Sequence, residues 1–192
     1  MSATRGSFGF MRDPGSAALL EAEGFVGFLT VGQLHRSDCL EVPDEPGVYV
    51  VITRGEAPHG FLRRSPAPVW RGQDPTLPVE ALGARWIEGA ELLYVGAAPG
   101  PGVRSRLRQR IKRFLRFGHG KVVAHWSGHA IWQLKESSRL GVAWRPCASA
   151  DEAARMSTDL LARFERRHGA PPFANVQSGP AGAEDEGGSE AY

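Results

Sequence analysis

Two tyrosines in short strand-like segments are the first residues whose type and spacing suggest chemistry. Tyr49 lies in Gly47-Val48-Tyr49, at the start of a run rich in β-branched residues, and Tyr94 lies in Tyr94-Val95-Gly96, at the end of a second apolar run. If these segments pair as antiparallel strands, the two phenols can lie side by side on one sheet face and orient one water molecule. Two tyrosines buried in a core give the same pattern, so the pair alone leaves both interpretations open.

An arginine on a predicted helix is the third candidate. Apolar residues recur at helical spacing from Val103 through Leu107 and Ile111 to Phe114, which predicts an amphipathic helix. Arg110 borders this apolar stripe, so its side chain is expected to lie against the sheet and not in bulk water. A planar guanidinium held in that way can bind a phosphate with two parallel hydrogen bonds.

The segment around this helix is strongly basic, although the net charge of the chain is only +2. No acidic residue lies between Glu91 and Glu136, which indicates an anionic partner such as a nucleic-acid backbone, with a solvated helix face as the alternative. If about six phosphates are neutralised, binding is expected to weaken on the order of 10³-fold between about 50 and about 200 mM salt. The predicted backbone contacts are Arg104, Arg106, Arg108, Lys112, Arg113, Arg116 and Lys121.

Two histidines follow the basic helix. His125 and His129 have the i, i+4 spacing that binds a metal on a helix, but the glycines at 118, 120 and 128 favour a loop, in which the histidines make ordinary hydrogen bonds. Their position after the basic helix also places His125 beside a bound phosphate, as part of the pocket.

The elements that must position these residues belong to an α/β fold. Strands are predicted at 47–53, 91–96, 131–135 and 140–145, and a last helix begins at the capping box of Ser149 and ends at Gly169. We expect a small central mixed or antiparallel sheet flanked by helices.

The chain divides into a leader with a packing segment (1–41), one domain (42–177) and a tail (178–192). Residues 54–90 form an irregular insertion with a short helix near Pro78–Leu82. The tail has no large apolar group before its last residue and is expected to be disordered and dispensable for folding.

Composition excludes several classes of protein. The chain has 192 residues, of which 42% are hydrophobic and 23% charged, as in ordinary globular domains. The apolar runs are too short for a membrane span, and the N-terminus has no apolar core typical of a signal peptide. Two cysteines cannot form a disulfide framework, so we expect a reducing, cytoplasmic environment.

These segments together resemble the GIY-YIG nuclease family. Tyr49 and Tyr94 fall in its two half-motifs, Leu107, Arg110, Ile111 and Phe114 follow the order of its helix, and Pro172-Phe-Ala-Asn175 is similar to its closing motif. The resemblance covers roughly residues 42–177. The segment from Trp126 to Leu134 is similar to a bacterial branch of the family.

The resemblance implies phosphodiester hydrolysis in nucleic acid, with DNA ahead of RNA. Tyr49, Tyr94, Arg110 and Asn175 would be catalytic, with Gly96 in the pocket and one divalent cation, Mg²⁺ or Mn²⁺. The position of the family's metal-binding glutamate is occupied by Ser157, a poor ligand for such a cation, so the sequence predicts no metal-binding residue. Ala97 likewise stands where many relatives have a lysine.

Two alternatives to an active nuclease stay open. One is a catalytically inactive module of the same fold that binds nucleic acid or protein, and the other is an enzyme redirected to a small-molecule substrate. Under all three, we expect the catalytic set to converge on one pocket with Ser157 lining its floor.

Overall fold

A computed structural model of the protein describes residues 13, 15–55, 60–100, 106–123 and 125–176. Most of the predicted leader's first residues, position 104 and the predicted tail 178–192 lie outside the described residues. Within the described ranges the fold is α/β, as predicted, with one four-stranded antiparallel sheet in the order β1-β4-β2-β3. The elements in chain order are α1 (Ala17–Ala22), β1 (Val26–Thr30), α2 (Val31–Arg36), β2 (Gly47–Ile52), α3 (Val79–Arg85), β3 (Leu92–Ala98), α4 (Leu107–Gly118), β4 (Gly141–Pro146) and α5 (Ala150–His168).

The central strand β2 is buried along its whole length, because neighbours cover both its edges and helices cover both its faces. Its β-branched residues fit that environment. Alternate residues point to opposite faces. Tyr49 and Val51 pack on the side of α4, whereas Val48, Val50 and Ile52 pack on the side of α5.

Two expectations about the strands are corrected. The predicted strand 131–135 is wrong: a 3₁₀ helix spans His129–Gln133, entered through Gly128 in the left-handed conformation (φ 72°). The fourth strand of the sheet is instead β1, which comes from the segment assigned to the leader and pairs with β4. A continuous apolar run does not distinguish a strand from a tightly wound buried helix, and the glycine before it decides the backbone path.

The two long helices form for the reasons seen in the sequence. Leu107, Ile111 and Phe114 form the buried stripe of α4. Helix α5 begins where the Ser149 hydroxyl accepts a hydrogen bond from the backbone of Glu152 (3.1 Å) and ends at Gly169, whose φ of 74° favours glycine.

The described part of the predicted insertion is tied firmly to the domain. The fully buried side chain of Gln133 donates to the carbonyls of Leu62 (3.2 Å) and Leu77 (3.0 Å) and accepts from the Leu77 backbone (2.6 Å). The expected short helix is α3, which buries Leu82. Because Gln133 satisfies three backbone groups at once, the insertion has a defined position next to the 3₁₀ helix.

None of the helices in the described ranges is long and apolar enough to cross a membrane.

Candidate functional site

The two tyrosines lie next to each other on the α4 side of the sheet. In the β2–β3 register Tyr49 pairs with Gly96 and Val51 pairs with Tyr94, so both phenols project from the same face. Their rings are 5.9 Å apart in an edge-to-face arrangement, and Phe114 of α4 packs against both, at 6.1 Å from Tyr49 and 5.7 Å from Tyr94. Strand pairing therefore brings the tyrosines together as the sequence predicted.

The ring of Tyr49 packs directly over Gly96, which the sequence predicts as a pocket residue. A Cβ atom added there would lie 2.4 Å from Cζ and 2.7 Å from the hydroxyl oxygen of Tyr49. A side chain at this position would push the phenol away from Tyr94. The glycine after Tyr94-Val95 is therefore required by the tyrosine on the neighbouring strand.

Burial controls the protonation of Tyr49. Its side chain is fully buried, and Tyr94 is 3% exposed. Burial raises the pKa of Tyr49 well above its ordinary value, and neighbouring Tyr94 raises it further, while the charges of Arg110 and Arg113 act in the opposite direction. The phenol is therefore neutral at physiological pH and can donate a hydrogen bond to an acceptor.

His125 joins the tyrosines on the same side of the sheet. Its ring packs edge-to-face on Phe114 at 5.4 Å and is 3% exposed. Burial, with the positive charges of Arg110 and Arg113, lowers the pKa of His125 to about 3. The imidazole is neutral, and its buried Nε2 has no hydrogen-bond partner among the residues that the structure describes.

Arg110 and Arg113 bring positive charge to this aromatic cluster. They are three positions apart on α4, hence on the same side of the helix, and both lower the pKa of Tyr49 and of His125. No carboxylate contributes to either shift. The predicted catalytic role of Arg110 stays a prediction; the charge of Arg113, predicted as a backbone contact, acts on the same two groups as that of Arg110. The three-residue spacing between Arg110 and Arg113 is the sequence signal that could have indicated that both act on the same groups.

Three other predicted backbone contacts are occupied within the chain. Arg106 pairs with Asp44 (3.5 Å), the Nε of Arg108 donates to the carbonyl of Val42 (2.7 Å), and Lys112 pairs with Asp38. These contacts connect α4 to the segment between α2 and β2. The predicted role of these three residues as backbone contacts stays a prediction. Arg116 and Lys121 are exposed, and position 104 lies outside the described residues.

Asn175 lies at the edge of the sheet. Its Oδ1 accepts a hydrogen bond from the backbone N–H of Val95 (2.8 Å), and its Nδ2 donates to the carbonyl of the same residue (2.9 Å). The Ala174 backbone adds a bond to Leu93 (2.9 Å). The segment that follows α5 thus covers the outer edge of β3. The amide that the resemblance makes catalytic has both its polar atoms engaged in the sheet.

Ser157 is not at the floor of the tyrosine cluster. Its helix, α5, packs on the opposite side of the sheet, where Leu160 and Phe164 contact the cluster of Val48 and Val50. The sheet therefore separates Ser157 from both tyrosines. Counting along a helix identified the inward stripe correctly but could not show which sheet face the helix covers.

The residues at the cluster do not fit a divalent metal. Mg²⁺ and Mn²⁺ need several oxygen ligands, with carboxylates foremost. The described ranges contain no group of three or more His, Cys, Asp and Glu side chains placed to hold an ion. The positive charges that act on Tyr49 and His125 belong to the guanidiniums of Arg110 and Arg113.

An open cleft of about 550 Å³ lies elsewhere, along α5. It contains both signs of charge, and Arg163 in it forms a bidentate pair with Glu23. The tyrosines and His125 do not line it. Because charges of both signs line it, the cleft does not indicate one class of ligand.

Comparison with known proteins found no match: no protein-family model, no curated protein and no solved structure corresponds to this chain. The functional argument therefore depends on the residues and their geometry.

Proposed function

We propose that the protein binds nucleic acid through the α4 side of the sheet, in the manner of a GIY-YIG nuclease-like domain. The observation that carries this proposal is the pair Arg110 and Arg113, whose charges act on Tyr49 and His125 with no carboxylate contribution. Two guanidiniums on one helix face can bind a phosphate by charge-assisted hydrogen bonds. Neutral phenols nearby supply further donors, which an anionic oxygen accepts.

The internal contacts of three basic residues of this segment change the expected strength of binding. Arg106, Arg108 and Lys112 contact groups of the chain itself. The proposal assigns the main backbone contacts to Arg110 and Arg113, whose charges act on Tyr49 and His125, and to the exposed Arg116 and Lys121. With about four phosphates neutralised, the affinity falls on the order of 10²-fold between about 50 and about 200 mM salt, which is less than the sequence alone suggested.

The binding experiment measures the anisotropy of labelled single-stranded DNA, duplex DNA and single-stranded RNA over this salt range. Arg110→Ala and Arg113→Ala should each weaken binding and reduce the slope of log affinity against log salt by about one. Arg167→Ala, an exposed arginine on α5 across the sheet, is the matched control and should change neither. Absence of binding at low salt, or equal losses in all three variants, would contradict the proposal.

Phosphodiester hydrolysis is the second candidate, and the tyrosine pair favours it. Two phenols whose ring centroids are 5.9 Å apart could orient one water molecule beside a phosphate held by Arg110. Incubating the same three substrates with and without Mg²⁺ or Mn²⁺ tests this candidate. Cleavage that is lost in both Arg110→Ala and Tyr49→Phe would support it. Binding without cleavage under all of these conditions would support the binding module.

A further inference from the structure

A short hairpin projects from the insertion between β2 and β3. The backbones of Trp70 and Gln73 exchange two hydrogen bonds of 2.9 Å each, and Arg71 and Gly72 form the two-residue turn between them. Both turn residues have positive φ, 49° and 78°, and both are exposed, with open space around Gly72. The tip of the hairpin therefore points into solvent.

The segment that carries the hairpin, residues 65–76, is called the arm here and is fixed at its base. The backbone N–H of Ser65 donates a hydrogen bond to the Thr76 hydroxyl (3.2 Å), which joins the two ends of the arm. The side chain of Gln133 bonds to backbone groups on either side of it. Because the base is fixed, the hairpin loses less entropy when its side chains bind a ligand.

The hairpin presents an aromatic ring next to a cation. Trp70 is half-buried, since its indole packs in part on the core of the α4 side. The guanidinium carbon of Arg71 lies over this ring, 5.7 Å from its centroid. The carboxylate of Asp74, the one acidic residue in the sequence of the arm, accepts a hydrogen bond from the Thr76 backbone (2.8 Å). An indole beside a guanidinium can stack on a nucleobase while the cation binds a phosphate.

The turn itself does not require an arginine. A positive φ costs free energy for a residue with a side chain, and Asn or Gly forms a two-residue turn of this kind at lower cost. Backbone strain of this type is concentrated at sites that bind ligands. The turn gains nothing from Arg71, whereas a ligand with a base and a phosphate would contact both the ring and the cation.

The arm lies against the end of α4. A Cβ atom added at Gly120, two residues after the helix, would lie 3.5 Å from the carbonyl oxygen of Pro66. Lys121 comes next, and its backbone N–H donates to the carbonyl of Arg116 (3.0 Å); both side chains are exposed. Pro66 and Trp70 are at most about 14 Å apart along the chain. The hairpin and the basic end of α4 are therefore within reach of one short single strand.

We propose that the hairpin stacks an unpaired nucleobase on Trp70, with Arg71 binding the phosphate of that nucleotide. Arg116 and Lys121 bind phosphates further along the same strand. This proposal rests on the proposed function and names its ligand as single-stranded nucleic acid, because a duplex keeps its base faces inside its own stack. Every base has a face that can stack, so the site tolerates any sequence.

The test compares two single strands of about 12 nucleotides, oligo-dT and an abasic strand with the same phosphates and no bases. Wild type should bind oligo-dT about five- to tenfold more tightly than the abasic strand. Trp70→Leu, which keeps an apolar side chain on the core, should lose this preference and bind the abasic strand with wild-type affinity. Val69→Ala truncates the exposed apolar neighbour, is the matched control and should change neither affinity.

The contact of Arg71 is tested separately. Arg71→Gln removes the charge but keeps a side chain at the positive φ, so it should weaken binding of oligo-dT and reduce the slope of log affinity against log salt by about 0.7. Arg167→Gln, on the exposed face of α5 across the sheet, should change neither. An unchanged slope in Arg71→Gln would overturn its contact with the phosphate.

The abasic strand also separates a lost contact from a damaged fold. If Trp70→Leu disturbs the arm and the end of α4, it weakens binding of both strands equally, and thermal unfolding shows a lowered melting temperature. Equal losses with both strands, or equal affinities of wild type for both, would overturn the proposal.

The two proposals fail in different ways. If binding of oligo-dT depends on Arg110 and Arg113 but not on Trp70, the stacking hairpin is wrong and the proposed function stands. If binding depends on Trp70 but not on those two arginines, the hairpin stands and the role proposed for the pair is wrong. If wild type binds neither strand at low salt, both proposals are overturned.

Discussion

The two faces of the sheet are built from the same strands but differ in what they bury. On the α5 side, Val48, Val50 and Ile52 meet Leu160 and Phe164, and the cluster is apolar. On the α4 side, alternate residues of the same strands are Tyr49 and Tyr94, covered by a segment that also buries His125, His129 and Gln133. Because successive residues of a strand point to opposite faces, the same strands bury an apolar core on one face and a partly polar core on the other.

The two faces differ in the free-energy cost of the side chains that they bury. Burying a hydroxyl or an imidazole without a full set of hydrogen bonds costs free energy, whereas an apolar residue of similar size stabilises the core. Tyr49 and His125 are therefore poor choices for stability alone. The α5 side should determine whether the protein folds, and the α4 side should determine what it binds. The predictions below test that division, from the largest expected effect to the smallest.

Truncating the α5 side should cause the largest loss of stability. Phe164 is fully buried against the sheet, so Phe164→Ala should lower the free energy of unfolding by about 3–5 kcal/mol. Urea denaturation measures this change. The fraction that remains folded at low temperature should bind nucleic acid with wild-type affinity. A large loss of affinity in folded protein would show that the two faces are not independent.

The α4 side should make stability depend on pH. The pKa of His125 is about 3 in the folded protein and close to its ordinary value of 6.5 in the unfolded chain. Below pH 6.5 the unfolded chain takes up a proton that the folded protein does not, so stability falls as pH falls. Between pH 7 and pH 5 the loss from this group is about 2 kcal/mol.

Denaturation at several pH values with His125→Gln tests this assignment. The free energy of unfolding of this variant should depend less steeply on pH between pH 7 and pH 5. Part of the slope should remain, because burial also lowers the pKa of His35 and His129. An unchanged slope would mean that His125 is accessible to protons in the folded protein.

Asn175 distinguishes a sheet-edge role from a catalytic one. Asn175→Ala removes both hydrogen bonds to Val95 and should lower the free energy of unfolding by about 1–2 kcal/mol. Asn175→Asp keeps the acceptor for the Val95 N–H but removes the donor to its carbonyl, and is the matched variant. The free energy of unfolding should fall in both variants. Loss of cleavage or binding in Asn175→Asp without loss of stability would instead place the amide in the site.

The sequence predicted the parts of this molecule that depend on local pattern. The strand at 47–52, the stripe of α4 and the cap of α5 follow from propensity, periodicity and capping, and strand pairing predicted that Tyr49 and Tyr94 would be neighbours. Ser157 was misplaced because the side of the sheet that a helix covers depends on the connection before it, which has no local signal. The docking of the insertion was missed for a related reason: residues 54–90 have no period, and only the contacts of Gln133 show where they pack.

The smallest expected effect on stability is that of removing one oxygen atom from Tyr49. Tyr49→Phe keeps the ring that packs on Gly96 and Phe114 and deletes a buried hydroxyl, so the free energy of unfolding should change by less than about 1 kcal/mol, in either direction. Under the proposed function, nucleic-acid affinity, or cleavage where it is detected, should fall by about tenfold, because the variant could no longer donate a hydrogen bond to the phosphate or its water. Val50→Ala, the neighbouring position on the α5 side, should show the reverse: lower stability and unchanged affinity. If Tyr49→Phe raises stability and leaves affinity and cleavage at wild-type values, the tyrosine pair is core packing, and the α4 side has no special role beyond its arginines.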